Sequence, residues 1–139
     1  MLRHELERSG VAVSMELATE PMVVLADRIQ IQQVVINLAM NAIEAMQTPP
    51  ERARKLVIRS HRTGPQAHIA ITDNGIGIPP EQLKGIFEAF FTTKRTGMGM
   101  GLSICRSIIE GHGGRIWVAS AVGNGTTFEV ALPAVASSA

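Results

Sequence analysis

A single cysteine, Cys105, serves all 139 residues, and that scarcity rules out an internal disulfide and any multi-cysteine zinc site. It lies in an apolar helical pattern, the setting of a core thiol. Charge imbalance is equally scarce, with 13 Lys+Arg against 12 Asp+Glu for a formal net charge of +1. The basic residues are scattered apart from "ERARK" and the "KR" at 94–95, so the footprint of a nucleic-acid-binding surface is missing. No apolar run reaches the roughly 18 residues a membrane helix needs, and the opening "MLRHELERSG" is too charged for a signal peptide. The chain is therefore expected in the cytoplasm, without direct membrane contact. Neither the P-loop nor the dinucleotide glycine fingerprint occurs. What the sequence has in quantity is apolar side chains, 45% of the total, enough for one domain with a real core.

Periodicity divides the chain into elements. Residues 1–9 read as the charged end of a helix stopped by Gly10, and "VAVSMEL" then alternates as a strand does. A second strand, "MVVLAD", is expected after a turn at Pro21. A long helix follows from about Arg28 to Met46, closed by "TPPE", where two prolines forbid continuation. "KLVIRSHR" and "AHIAITD" alternate with period two and are joined by "TGPQ", which predicts an antiparallel hairpin. A short helix is expected over "LKGIFEAF". The stretch "TTKRTGMGMG" has no periodicity and reads as a mobile loop, and a helix "LSICRSIIEGH" ends at Gly113 and Gly114. The strands "GRIWVASA" and "TTFEVALP" close the domain, and "AVASSA" is a tail. No internal repeat is visible. The fold class expected is an α+β two-layer sandwich, a mixed and largely antiparallel sheet of about five strands with about three helices on one face.

The long helix raises a chemical question. At about 100° per residue, Asn37, Asn41 and Glu44 fall within about 60° of one another, and Gln33 and Gln30 extend the line. A buried amide without a partner costs about 1–3 kcal/mol, so this polar stripe on an apolar helix needs water, neighbouring backbone or a ligand along it.

Glycine clusters recur three times, as "DNGIG" after a strand, "GMGMG" before a helix and "GNGT" entering a strand. Singly, each reads as turn glycine. The middle cluster, Gly97, Gly99 and Gly101, also meets a helix start, where free N–H groups and the helix dipole favour anions such as phosphates. Met98 and Met100 add adaptable apolar side chains, and the nearby Lys94 adds a cation, the ingredients of a lid over phosphates. Asp73 ends its strand beside two glycines that let a planar ligand approach. Such an aspartate often bonds only local N–H groups. As a ligand group, its carboxylate accepts from the exocyclic amine of adenine, whereas guanine presents a carbonyl there, which selects ATP over GTP.

The ordered set "NLAMNA", "DNGIGIP", "FEAFF", "GMGMGLS" and "GNGTTF" resembles the ATP-binding catalytic domain of two-component sensor histidine kinases, within the wider Bergerat-fold (GHKL) group. "FFTTK" and "NAIEAM" are most similar to the oxygen- and nitrogen-sensing branch. The resemblance implies a domain over residues 10–133, preceded at 1–9 by the end of a dimerisation helix and followed by a tail at 134–139. It implies that Asn41 binds Mg²⁺ bridging the ATP phosphates and that Asn37 lines the same site. Asp73 would read adenine in a pocket shaped by Gly75, Gly77 and Ile78, and Thr126 would reach the base, often through water. Phe87 and Phe90 match the aromatic pair under the lid. Thr93 and Lys94 belong to the lid, and Gly97, Gly99, Met100, Gly101 and Leu102 to the phosphate end. Asn37, Asn41 and Lys94 are then the candidate catalytic residues. Ala89 and Glu44 depart from the pattern, standing where such domains often carry proline and a phosphate-binding lysine; Glu44 is kept as a site residue.

Three functions follow: a histidine kinase catalytic domain, a stand-alone anti-sigma regulator with serine-kinase activity, and a self-sufficient ATPase. Hydrolases of the fold carry a glutamate base at the place of Asn37, and a neutral amide cannot take the proton. The first reading leads. It implies ATP and Mg²⁺ as cofactors, a dimerisation and phosphoacceptor domain as partner, and a response regulator downstream. "RHELERSG" imitates a phosphoacceptor motif at His4, but the expected proline is missing. His61 and His68 read as strand-surface residues, and His112 as helix-end structure.

Overall fold

The computed structural model describes residues 10–17, 24, 26–47, 53–83, 85–87 and 99–134. Its elements are β1 (Val11–Glu16), α1 (Arg28–Ala45), β2 (Arg54–Thr63), β3 (Gln66–Asp73), α2 (Pro80–Leu83), α3 (Gly99–Gly111), β4 (Arg115–Ser120) and β5 (Thr126–Pro133). The five strands form one sheet in the order β1-β2-β3-β5-β4. β1 and β2 are parallel, as a crossover through α1 requires, and the other pairs are antiparallel. This is the expected two-layer architecture.

Helix α1 begins where the sequence signals it. The Asp27 carboxylate accepts from the N–H groups of Ile29 and Gln30 at 3.0 and 3.1 Å, satisfying two of the donors that a helix start leaves free. His112, at the end of α3, accepts the Asp27 N–H through Nε2 at 3.0 Å and holds Ile108 O at 2.7 Å through Nδ1. One imidazole thus ties the start of α1 to the end of α3, the helix-end role read from the sequence.

The core lies between the helices and one sheet face. α1 contributes Val34, Leu38, Ala39 and Ala42, α3 contributes Leu102, Cys105 and Ile109, and the strands contribute Leu56, Ile71, Phe128, Val130 and Leu132. Truncating Leu38, which is fully buried, to alanine would cost about 2–5 kcal/mol. Among the described residues, no helix is long and apolar enough to cross a membrane.

Of the strand expected over "MVVLAD", residues 22, 23 and 25 lie outside the described residues; Val24 bridges to Ala134, Ala26 is a bend, and Asp27 caps α1. Two expectations need correction. The short helix lies earlier than "LKGIFEAF". Pro80 has the fixed φ that suits a first helical position, so the turn forms over Pro80–Leu83, and residues 85–87 are a turn. α3 starts at Gly99 rather than Leu102, which places two of the glycines inside its first turn. The expected terminal helix at 1–9, the turn at Pro21, "TPPE", the lid residues 92–98 and the tail 135–139 lie outside the described residues.

Candidate functional site

The polar stripe of α1 runs between two different structures. At its C-terminal end, Ala45 O accepts the Ile76 N–H at 3.3 Å, joining the helix to the "DNGIG" loop. At Asn37 it meets the first turn of α3, where a Cβ at Gly101 would lie 3.9 Å from the Asn37 amide and Asn37 Nδ2 donates to Cys105 Sγ at 3.8 Å. Eight residues separate these junctions, about 12 Å along the helix at 1.5 Å per residue. Asn41, only 5% exposed, sits between them.

The loop end is closely built. Asp73 is 4% exposed and its Oδ1 accepts the Gly75 N–H at 2.8 Å, which sets the turn and fixes the carboxylate. A side chain at Gly75 would strike Ala45 O at 2.6 Å. Gly77 has φ +78°, and a Cβ there would meet Ala121 O. Asp73 pairs in register with Thr126, the first residue of β5, which is 4% exposed. The Ser120 hydroxyl accepts the Ile78 N–H and donates to Gly125 O, both at 2.8 Å, and lies 2.8 Å from the Thr126 hydroxyl. With Ser120's own proton given to Gly125, Thr126 donates to Ser120, and lone pairs on Thr126 remain for a donor from a ligand.

The other end is a helix start. Gly99, Met100, Gly101 and Leu102 are the first four residues of α3, and their N–H groups have no carbonyl partner inside the helix. Those groups and the helix dipole favour an anion. Cys105 is not part of the chemistry. Burial pushes its thiol up, against the opposing hydrogen bond from Asn37, so it stays protonated and unreactive at neutral pH.

A carboxylate and hydroxyl at one end, carboxamides between, and anion-seeking N–H groups at the other form a linear arrangement suited to a nucleotide. Residues 26–136 match the model of the family described as histidine kinase-, DNA gyrase B-, and HSP90-like ATPase. The chain belongs to that family.

Within the family this domain is of the sensor histidine kinase type, and an ATPase domain of this kind binds ATP. It is 48% identical over 111 residues to sensor protein FixL of Bradyrhizobium diazoefficiens, covering 80% of this chain and 22% of FixL. The chain thus spans about a fifth of that curated relative. It is 38% identical to the nucleotide-free catalytic domain of histidine kinase ThkA, with a TM-score of 0.82, covering 95% of this chain and 84% of that one. ThkA in complex with the response regulator TrrA is also similar, at 36% identity and a TM-score of 0.79, covering 96% of this chain and 37% of that chain.

The domain brings most of the sequence-derived candidates together. Asn37, Asn41 and Glu44 share α1; Asp73, Gly75, Gly77, Ile78 and Thr126 form its loop end; Gly99, Met100, Gly101 and Leu102 open α3. The Leu102 side chain packs in the core, leaving its backbone N–H as the group on offer. Phe87 meets buried Phe128 edge-on at 6.1 Å, a packing contact at the base of the loop. Phe90, Thr93, Lys94 and Gly97 lie outside the described residues.

Sequence reasoning missed Ser120 and Asn74 as supporting residues and read Gly125 only as turn glycine. Ser120 joins Ile78 to Gly125, and its place on the inward face of β4, in step with Ile116 and Val118, was the available signal. Gly125 has φ +85°, and a Cβ there would overlap Asp73 O. Asn74 donates to Ala53 O at 2.6 Å and accepts the Lys55 N–H at 3.0 Å, fastening the loop to the start of β2.

Proposed function

We propose that this domain binds MgATP and supplies its γ-phosphoryl group to a histidine on the dimerisation domain of a two-component sensor kinase. The observation that carries the proposal is the linear order along α1: a buried carboxylate at one junction, Asn41 in the middle, and the N–H groups of α3 at the other. Residues 10–133 are the proposed ATP-binding unit, with 1–9 the end of a dimerisation helix and 134–139 a tail. The proposed setting is the cytoplasm, with a response regulator receiving the phosphoryl group downstream.

Adenine would donate its exocyclic amine to Asp73, with Gly75 and Gly77 allowing the ring to approach backbone and Thr126 accepting directly or through water. The phosphates would lie toward the first turn of α3, with the lid residues Thr93, Lys94 and Gly97 closing over them. The donor set fits Mg²⁺. Asn41 offers a hard carboxamide oxygen, Glu44 a carboxylate one turn on, and Mg²⁺ takes few protein ligands beside substrate phosphates and water. When bound, the ion neutralises charge on the β- and γ-phosphates. In the transfer itself an imidazole nitrogen of the acceptor attacks the γ-phosphorus, the bond to the bridging oxygen breaks, and ADP leaves. Positioning supplies most of the catalysis.

Asn37 favours transfer over hydrolysis. Its amide is a donor to Cys105, and it holds no carboxylate to take a proton from water. The domain should therefore bind MgATP while hydrolysing it slowly and labelling itself little. Mixed with the dimerisation domain of its parent kinase and labelled ATP, it should place an acid-labile, alkali-stable phosphoryl group on that partner. Labelling of serine on a partner protein, or rapid hydrolysis by the domain alone, would contradict the proposal.

A further inference from the structure

The face of the sheet turned away from the helices holds a second group of chemistry-bearing residues. Period-two alternation along β2, β3 and β5 sends Ile58, Ile71 and Phe128 into the core, and sends His61, His68 and Glu129 to the opposite face. His61 and His68 are direct cross-strand partners in the β2–β3 register. Their rings stack at 4.7 Å between centroids and 17° between planes. Glu129, opposite Ala70 on β5, completes the group from the other side. One ligand atom from each of the three lies within 4.8 Å of the others.

The His68 ring is in an unusual position for an imidazole. Both of its nitrogens are buried, and neither has a hydrogen-bond partner among the described residues. Trp117 meets the ring edge-on at 6.0 Å, and Arg115 lies over Trp117 at 5.2 Å, so the cation nearest on β4 is engaged with the indole. Arg59, on the same face two residues before His61, is paired with Glu16 at 3.1 Å. A buried polar atom left unpaired costs about 1–3 kcal/mol, and a metal ion reached together with two neighbouring groups of the right type would relieve that cost.

We infer that His61, His68 and Glu129 form a binding site for a divalent transition-metal ion of the zinc class, separate from the nucleotide site. Two imidazoles and a carboxylate are a donor set that Zn²⁺ accepts, with water filling the remaining position. Tetrahedral coordination at about 2.0–2.1 Å brings donor atoms to about 3.4 Å from one another, so the group closes by at most about 1.4 Å on binding. His61 is exposed and can make that movement, unstacking from His68 as it does so. The ion would staple β2, β3 and β5 together. His68 and Asp73 lie five residues apart on β3 and on opposite faces, about 17 Å along the strand at 3.4 Å per residue. The site therefore adds a second ligand to the domain without sharing a residue with the first.

Calorimetric titration of the full chain with Zn²⁺, in a buffer that does not coordinate metals and without nucleotide, tests the assignment. One ion should bind per chain and raise the melting temperature. His61→Ala removes an exposed side chain and Glu129→Gln keeps its shape. Each should weaken Zn²⁺ binding at least about tenfold, since loss of even an indirect supporting group costs that much at metal sites. ATP affinity should be the same in both variants as in the unaltered chain. Absence of one-to-one binding, or Zn²⁺ affinity that either substitution leaves unchanged, would overturn the site.

Discussion

The two ends of the stripe on α1 use glycine for opposite reasons. At the loop end, Gly75, Gly77 and Gly125 each stand where a Cβ would run into backbone, against Ala45 O, Ala121 O and Asp73 O. The polypeptide itself fills the space. At the start of α3, a Cβ at Gly101 would find its nearest neighbour among the described residues in the Asn37 amide at 3.9 Å, an ordinary contact. The loop glycines are thus required by backbone packing, whereas Gly101 is not; on the proposed reading, the first three serve the fold of the base end and Gly101 serves the approach of phosphate.

That contrast can be broken by substitution. Gly77→Ala, with φ +78° and a backbone oxygen in the way, should cost about 3 kcal/mol of stability or more, since positive-φ strain and core-like overlap add. Chemical denaturation would measure it; a variant as stable as the parent would mean the loop is not built as described. Asp73→Asn should leave the fold intact, because an amide oxygen also accepts the Gly75 N–H. Competition binding should show adenine-nucleotide affinity reduced by about 1–3 kcal/mol, the scale for losing a charged hydrogen bond. GTP should already compete poorly with the unaltered domain, and equal displacement by GTP and ATP would remove Asp73 as the base reader. Asn41→Ala should weaken nucleotide binding with Mg²⁺ present more than without it, and equal losses would remove Asn41 as an ion ligand. Gly101→Ala is the mildest for the fold. It should raise thermal stability by up to about 1 kcal/mol through helix propensity, while lowering ATP affinity more than adenosine affinity.

What the sequence made legible follows the strength of its periodic signals. Asn37, Asn41 and Glu44 stand out because the residues around them are apolar at helical spacing, whereas Asp27, read at the end of a strand, caps that helix. The hairpin of β2 and β3 was equally plain from its alternation. The start of α3 was not, because glycine's low helix propensity argued for loop at Gly99 and Gly101 while packing against α1 carries the helix through them. The contribution of Ser120 was hidden for a different reason: a strand serine becomes informative only when Ile78, Gly125 and Thr126 are brought around it. Contacts distant in sequence leave little local pattern.

The most direct test of a nucleotide lying along α1 is a backbone-amide NMR titration of the domain, first with adenosine and then with MgATP. Adenosine should shift the amides of Gly75, Ile76, Gly77, Ile78 and Thr126 and leave the start of α3 unmoved. MgATP should add shifts at Gly99, Met100, Gly101 and Leu102 and at the side-chain amides of Asn37 and Asn41. Adenosine shifts centred on the first turn of α3, or MgATP shifts that leave residues 75–78 in place, would contradict that orientation.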